Sequence, residues 1–121
     1  MAAQTTVRPT DPLWLVTPEK IEAAVRRIVE VARPSKVVLF GSAARGETHR
    51  HSDADFLVVT GEEIEDPRAE STRIREALSE IIMPMDILVI SERRLREVAD
   101  RPGLIYREAL QEGKVLYDAS A

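Results

Sequence analysis

Two short polar motifs, each next to an apolar run, contain the residues best suited to bind a metal ion or to take part in catalysis. Gly41 and Ser42 follow one apolar run, and after ten further residues Asp53 and Asp55 open the next. Side chains alternate along a strand, so both aspartates lie on one face with Cα atoms about 7 Å apart. Two unit charges ~5 Å apart repel by roughly 3 kcal/mol at an effective dielectric near 20, and a shared Mg²⁺ ion reverses that sign. The pair therefore predicts a divalent metal site.

The glycine-serine pair predicts a turn that binds phosphate. Gly41 has no side chain to block phosphate oxygens, and Ser42 places a hydroxyl and an amide at the start of a short helical turn. The residues after Gly41 are Ser-Ala-Ala-Arg-Gly, which lack the lysine of a P-loop and so disfavour that class of ATPase. Arg45 is the nearest fixed cation. Ser42 also fits a plain helix cap, and both roles can coexist.

Asp86 is the candidate third carboxylate. It opens the apolar run 85–90 with Leu88 and Ile90 on its face, where a purely structural role would leave its charge uncompensated. Together with the first two aspartates it would complete a two-metal clamp. Other interpretations stay open: Asp53 and Asp55 as a capping or turn cluster, and Asp86 as a strand-edge residue paired with an arginine.

The polar segment after the turn is harder to interpret. The simplest interpretation is a loop whose charged side chains face solvent. The alternative is that each of these side chains contacts a phosphate or the acceptor: Arg45, His49, Arg50 and His51. A histidine metal pair is disfavoured, since nothing in such a loop makes the two rings converge.

Composition limits the class of protein. The chain has 121 residues with 44% hydrophobic and 31% charged, which fits a single domain. Its net charge of −4 argues against direct nucleic-acid binding. The lack of cysteine excludes disulfides, a thiolate nucleophile and zinc-thiolate sites. No apolar run approaches 18 residues and no signal peptide is evident, so we expect a cytoplasmic protein with no membrane role.

Periodicity and breaker residues predict an α/β (α+β) fold, a small mixed sheet flanked by helices. We expect a flexible arm over 1–16, with Trp14 and Leu15 holding its end to the body, and one domain over 17–121. A helix starts at Thr17-Pro18 and ends at Pro34. The other predicted elements are strands 37–40, 54–59 and 85–90, an amphipathic helix through Ile81, a short helix capped by Ser91, a helix over 104–111 and an edge strand over 114–117.

These residues resemble the minimal, MNT-type nucleotidyltransferases of the DNA polymerase beta superfamily. The likeness covers roughly residues 18–118 and rests on the segments 41–46, 52–58, 85–87 and 112–117. One departure is Ala43, where many minimal members carry arginine. The resemblance implies the nucleotidyltransferase fold, two Mg²⁺ ions and ATP as substrate. It implies that Asp53 and Asp55 hold both ions, that Asp86 holds the one activating the acceptor hydroxyl, and that Gly41 and Ser42 bind the β and γ phosphates.

The resemblance also implies a partner. Minimal members often serve as antitoxins to a helical HEPN-type toxin and transfer AMP to one of its tyrosines. We expect 121 residues to leave no room for a separate acceptor domain, so that the partner supplies the acceptor site. A homo-oligomer is possible on this sequence. Two alternatives stay open: a nucleotide-binding antitoxin that acts by binding alone, and a small-molecule nucleotidyltransferase.

Overall fold

The computed structural model describes residues 12–46, 53–102 and 104–121, which contain four helices and four strands. In chain order the elements are α1 (Pro18–Ala32), β1 (Lys36–Phe40), β2 (Ala54–Thr60), α2 (Pro67–Ala77), β3 (Met85–Ser91), α3 (Glu92–Val98), α4 (Ile105–Glu112) and β4 (Lys114–Asp118). The longest of these helices, α1, has 15 residues, and none in the described ranges is long and apolar enough to cross a membrane.

The strands form one mixed sheet in the order β3-β2-β1-β4. The β2 and β3 strands run parallel, whereas β1 is antiparallel to both β2 and β4. The end of β1 therefore lies beside the starts of β2 and β3. This confirms the predicted mixed sheet with β4 at an edge, and it places the polar motifs after β1 and before β2 at one end.

Helices cover both faces of the sheet. The α1 and α2 side buries one cluster that includes Ile28, Phe56 and Ile74, and the α3 and α4 side buries a second that includes Leu57 and Ala109. Both central strands are almost wholly buried, because each presents apolar side chains to helices on both sides. Tyr106 packs against the second cluster and Tyr117 against the first, and both are partly buried.

Helix boundaries follow local capping chemistry. The Thr17 side chain accepts a hydrogen bond from the Lys20 amide, and Ser91 does the same for the Arg94 amide, which confirms both predicted caps. The α2 helix ends at Ala77 rather than continuing through Ile81. Tighter turns follow it, with the amide of Ile81 bonded to the carbonyl of Leu78. Ile81 still packs on the core. Its spacing from the apolar residues of α2 therefore indicates that it is buried, not that it belongs to the helix.

The segment before α1 is held differently from the prediction. Of the two residues predicted to hold it, Trp14 does not, since 53% of its surface is exposed, whereas Leu15 is half-buried. Val16 is the buried residue instead, and the Lys20 ammonium binds the carbonyls of Leu13 and Leu15. The Lys20 ammonium, rather than the ring of Trp14, therefore holds this segment in place. Residues 1–11, most of the predicted arm, lie outside the described residues.

Candidate active site

Strand pairing brings two of the three candidate aspartates together. Asp55 of β2 is the registered neighbour of Asp86 on the parallel strand β3, and on its other side it faces Phe40 of β1. Registered neighbours point to the same face of a sheet. Asp53 precedes β2 by one residue and lies on the surface. The carboxylates of Asp53 and Asp86 both act electrostatically on Asp55, so the three form one acidic cluster.

The turn after β1 lies directly against this cluster. Gly41 has φ +77°, and a Cβ atom on it would collide with Oδ2 of Asp55. Residues 42–46 then form one short helical turn, in which the amides of Ala44, Arg45 and Gly46 bond to carbonyls three or four residues earlier. The backbone conformation therefore favours glycine at position 41, and the missing side chain leaves room for the Asp55 carboxylate.

The Asp55 carboxyl has a strongly raised pKa. Burial is the main cause, followed by repulsion from Asp53, Asp86 and Glu108, and together they raise the pKa of Asp55 from 3.8 to about 6. Glu108 belongs to α4, which packs against β1. Glu108 is a fourth carboxylate, which we did not predict. Nothing in the local sequence of α4 marks it, because only the packing of the helix brings it near the aspartates.

Asp86 has a compensating charge, as the alternative interpretation of a strand-edge residue paired with an arginine foresaw. Its Oδ1 atom lies 3.3 Å from Nη2 of Arg75, near the end of α2. The expectation that a structural role would leave Asp86 uncompensated is therefore wrong. The physical reason is that β3 is an edge strand and its start is open to solvent, so 59% of the Asp86 side chain is exposed and an arginine can reach it. Such an exposed ion pair is weak, on the order of 0–1 kcal/mol.

The remaining candidates occupy the turn and the segment after it. Ser42 begins the turn and is half-buried, while Arg45 is exposed and uses its amide within the turn. His49, Arg50 and His51 lie outside the described residues. The roles assigned to Gly41, Ser42 and Arg45 in phosphate binding stay predictions.

The donor set suits a hard divalent cation. Mg²⁺ prefers carboxylate oxygens, and such an ion would neutralise the charges of Asp53 and Asp86 that, after burial, add to the raised pKa of Asp55. Within residues 12–46, 53–102 and 104–121, no three His, Asp or Glu side chains are already arranged to hold a metal ion. Asp53, Asp55 and Asp86 are the residues that would hold it, and for Asp86 this means leaving Arg75.

A separate groove of about 780 Å³ runs between α1 and β4. Ile21, Val25 and Tyr117 are among its lining residues, and it touches the helical turn only at Ala43 and Gly46. None of its lining residues is one of the three aspartates, so its volume says nothing about the candidate chemistry.

Comparison with known proteins supplies the family. The model of the family "Polymerase beta, Nucleotidyltransferase" matches residues 19–121. The chain therefore belongs to the polymerase beta nucleotidyltransferase family. No match appears among curated proteins.

Solved structures show the same fold at low sequence identity. A protein from Sulfolobus solfataricus assigned as a nucleotidyltransferase is 19% identical, with a TM-score of 0.55 over 84% of this chain and 80% of that one. A toxin-antitoxin structure with AMP-PNP is 21% identical, with a TM-score of 0.52 over 80% and 73% of the two chains. A mutant of the toxin-antitoxin MntA-HpeT is 17% identical, with a TM-score of 0.55 over 85% and 73%.

Proposed function

We propose that this protein transfers AMP from ATP to a hydroxyl of a partner protein, and so acts as the antitoxin of a HEPN-type toxin. One observation carries the proposal: Asp55 and Asp86 are registered neighbours on β2 and β3, beside the turn that begins at Gly41. Family membership supports nucleotidyl transfer. The toxin-antitoxin structures that share the fold, one of them with AMP-PNP, support a toxin partner and an adenine nucleotide. ATP and such a toxin would both be met in the cytoplasm.

In the proposed reaction the acceptor oxygen, for which tyrosine is our first candidate, attacks the α-phosphorus of ATP. A bond forms between that oxygen and phosphorus, the bond to the β-phosphate oxygen breaks, pyrophosphate leaves, and the hydroxyl proton passes to solvent. Magnesium ions, two by analogy with the family, would supply charge neutralisation and activate the hydroxyl. Asp53, Asp55 and Asp86 would hold them, and the backbone at Gly41 with the Ser42 hydroxyl would bind the β and γ phosphates.

The surroundings of Asp55 support this division of roles. A partly buried carboxylate with a pKa of about 6 is ill suited to stabilise a metal-free fold, but it is well placed to bind a cation at a sheet edge. Asp53 and Asp86 are more exposed and lie on the solvent side. An acceptor approaching from solvent would meet them first.

The test is to incubate the protein with labelled ATP, Mg²⁺ and the product of the adjacent gene. We expect label on that partner, and we expect D53N/D55N to lose it by at least about a thousandfold, because both shared ligands are neutralised. D118N is the matched control, since Asp118 lies at the other end of the sheet beside Lys36. No label on the partner with the native protein, or equal loss in D118N, would contradict the proposal.

A second candidate is an antitoxin that neutralises its partner by binding alone. The ion pair between Arg75 and Asp86 favours it, because that contact occupies one of the proposed metal ligands. Expressing D53N/D55N together with the toxin separates the two candidates. Growth is restored by an antitoxin that only binds, and it fails if transfer of AMP is needed.

A further inference from the structure

An exposed apolar patch lies near the three aspartates. It consists of Leu13, Trp14 and Ile82, whose exposed fractions are 77%, 53% and 55%; we call these three residues the apolar patch. Single exposed hydrophobic side chains are ordinary on protein surfaces. A tryptophan grouped with two large aliphatic residues from a distant part of the chain instead has the composition of the anchors that dominate protein interfaces.

A single lysine holds the apolar patch together. The Lys20 ammonium donates hydrogen bonds to the carbonyls of Leu13 at 2.5 Å, Leu15 at 2.9 Å and Ile82 at 2.7 Å. These bonds use all three donors of the group, and charged donors form the stronger class of hydrogen bond. The carbonyls of Leu13 and Ile82 consequently lie within about 5 Å of each other, and Trp14 is held between two fastened residues. The backbone that carries the three side chains is therefore fixed.

The apolar patch and the acidic cluster lie on neighbouring stretches of the chain. The Pro84 carbonyl accepts a hydrogen bond of 3.0 Å from the Ala54 amide, one residue from Asp53. Ile82 stands two residues before Pro84 and Asp86 two residues after it. At ~3.4 Å per extended residue, the Cα atoms of Ile82 and Asp86 are at most about 14 Å apart. One protein interface of about 800 Å² per partner would cover both features.

We propose that the apolar patch is the docking surface for the acceptor protein, which presents to it an apolar segment flanked by lysine or arginine. This inference rests on the proposed function. The charges near the patch favour a basic partner, because Glu80 precedes Ile82 by two residues and Asp53 precedes Ala54, whose amide bonds to the carbonyl of Pro84. Arg75 and Asp86 form an ion pair that offsets both charges, and the Lys20 ammonium uses its donors on backbone carbonyls.

A second copy of this chain fits the surface less well. A two-fold contact would set the same patch and the same acidic cluster against themselves, so that the aspartates of the two copies repel each other. The net charge of −4 adds to that repulsion. The acceptor protein is therefore the occupant that the charges favour.

The experiment measures binding to the product of the adjacent gene by calorimetry, with the native chain, W14A, I82E and K20M. V115E is the matched control, because Val115 is 54% exposed, as Ile82 is, but lies on β4 at the other edge of the sheet. Binding of a non-hydrolysable ATP analogue with Mg²⁺ checks each variant for an intact fold and nucleotide site. We expect W14A and I82E to weaken the partner Kd at least about tenfold, K20M to weaken it less, and V115E to change it less than twofold.

The outcomes separate this inference from the proposed function. If the partner is labelled and W14A and I82E bind it normally, the docking proposal is overturned and the transferase stands. If the partner binds through the patch but is never labelled, transfer fails and the docking surface stands. If the native chain neither binds the partner nor labels it, both are overturned.

Two further readouts keep the proposal falsifiable. A photo-crosslinking residue at position 14 of the otherwise native chain should capture the partner, and one at position 115 should not; capture from 115 alone overturns the proposal even if a variant misfolds. A dimer of this chain that I82E converts to monomer, with partner binding intact, would assign the patch to a second copy and overturn it as well.

Discussion

Asp55 is a partly buried carboxylate whose charge the fold disfavours. Burial is the largest cause, and the charges of Asp53, Asp86 and Glu108 add to it, so that its pKa is about 6 in the folded protein against an ordinary value of 3.8. Protons therefore bind the folded state more tightly than the unfolded state. The folded state is at no disadvantage below about pH 3.8, loses stability as the pH rises from there through about 6, and carries the full cost above that.

Because ionisation of Asp55 lowers the stability of the folded state, D55N should be more stable than the native protein in the absence of metal. Asparagine carries no charge at any pH, so at pH 8 in EDTA we expect D55N to raise the free energy of unfolding by about 1–3 kcal/mol. At pH 4 the gain should nearly vanish, because Asp55 of the folded native protein is then protonated. Urea unfolding at the two pH values measures the difference. An equal gain at both would show that the charge of Asp55 is not the cause.

Gly41 allows a second prediction, with Gly46 as its control. Both residues have positive φ, +77° and +76°, so alanine strains the backbone at either position by about 1–2 kcal/mol. A Cβ at Gly41 also collides with Asp55, whereas at Gly46 it meets nothing within 4 Å. Because the Asp55 oxygen is the end of a side chain and can turn aside, we expect G41A to destabilise the protein by at most about 1 kcal/mol more than G46A, but to displace the Asp55 carboxylate and so weaken binding of Mg²⁺ with an ATP analogue.

Comparing G41A with G46A separates the effect of the contact with Asp55 from the backbone strain that both variants share. Urea unfolding in EDTA gives the stabilities, and calorimetry gives the nucleotide affinity. Equal losses of stability in G41A and G46A, with equal nucleotide binding, would mean that the turn and Asp55 are not in close contact.

At the scale of elements, the junction of α4 and β4 depends on close backbone approach. Gly113 has an ordinary φ of −79°, which alanine adopts without strain. A Cβ at this position would nevertheless collide with the carbonyl of Ala109 and with Val38 and the carbonyl of Leu39 on β1. The missing side chain therefore lets α4 end against the sheet and β4 begin at once.

G113A should accordingly lower the free energy of unfolding by about 1–3 kcal/mol or more, since backbone atoms cannot move aside as a flexible side chain does. G61A is the control, because its Cβ would meet only Oε2 of Glu92 at 3.4 Å, an ordinary contact. We expect G61A to be neutral or to stabilise by up to about 1 kcal/mol through the unfolded state. Thermal or urea unfolding tests the pair, and similar values for both variants would contradict the packing at Gly113.

At the scale of the whole molecule, occupation of the acidic cluster should couple to global stability. A ligand that binds only the folded state stabilises it by RT ln(1 + [L]/Kd), or about 1.4 kcal/mol at ten times Kd. For a chain of 121 residues we expect Mg²⁺ at that level to raise Tm by about 4–8 °C. D53N/D55N should lose this shift, and D118N should keep it. A shift that the double variant retains would place the magnesium elsewhere.

Much of the fold was predictable because its determinants are local. Thr17 and Pro18 mark the start of α1, and Ser91 caps α3, since capping depends on a few neighbouring atoms. The apolar runs predicted three strands within one or two residues, because their length and bounding breakers are visible in the sequence. The end of α2 was predicted too far along, because the burial of Ile81 in a turn has the same apolar spacing as a helix.

The sequence by itself determined which residues carry charge and at which strand ends they stand: Asp53 and Asp55 before one apolar run, Asp86 at the start of another. Only the tertiary structure decided their neighbours. The parallel pairing of β2 with β3 set Asp55 beside Asp86, and helix packing brought Glu108 and Arg75 to the cluster. Likewise, Lys20 binds the carbonyl of Ile82 across 62 residues of chain. The reason is that caps and alternation depend on adjacent residues, whereas electrostatic environment depends on contacts between segments far apart in sequence.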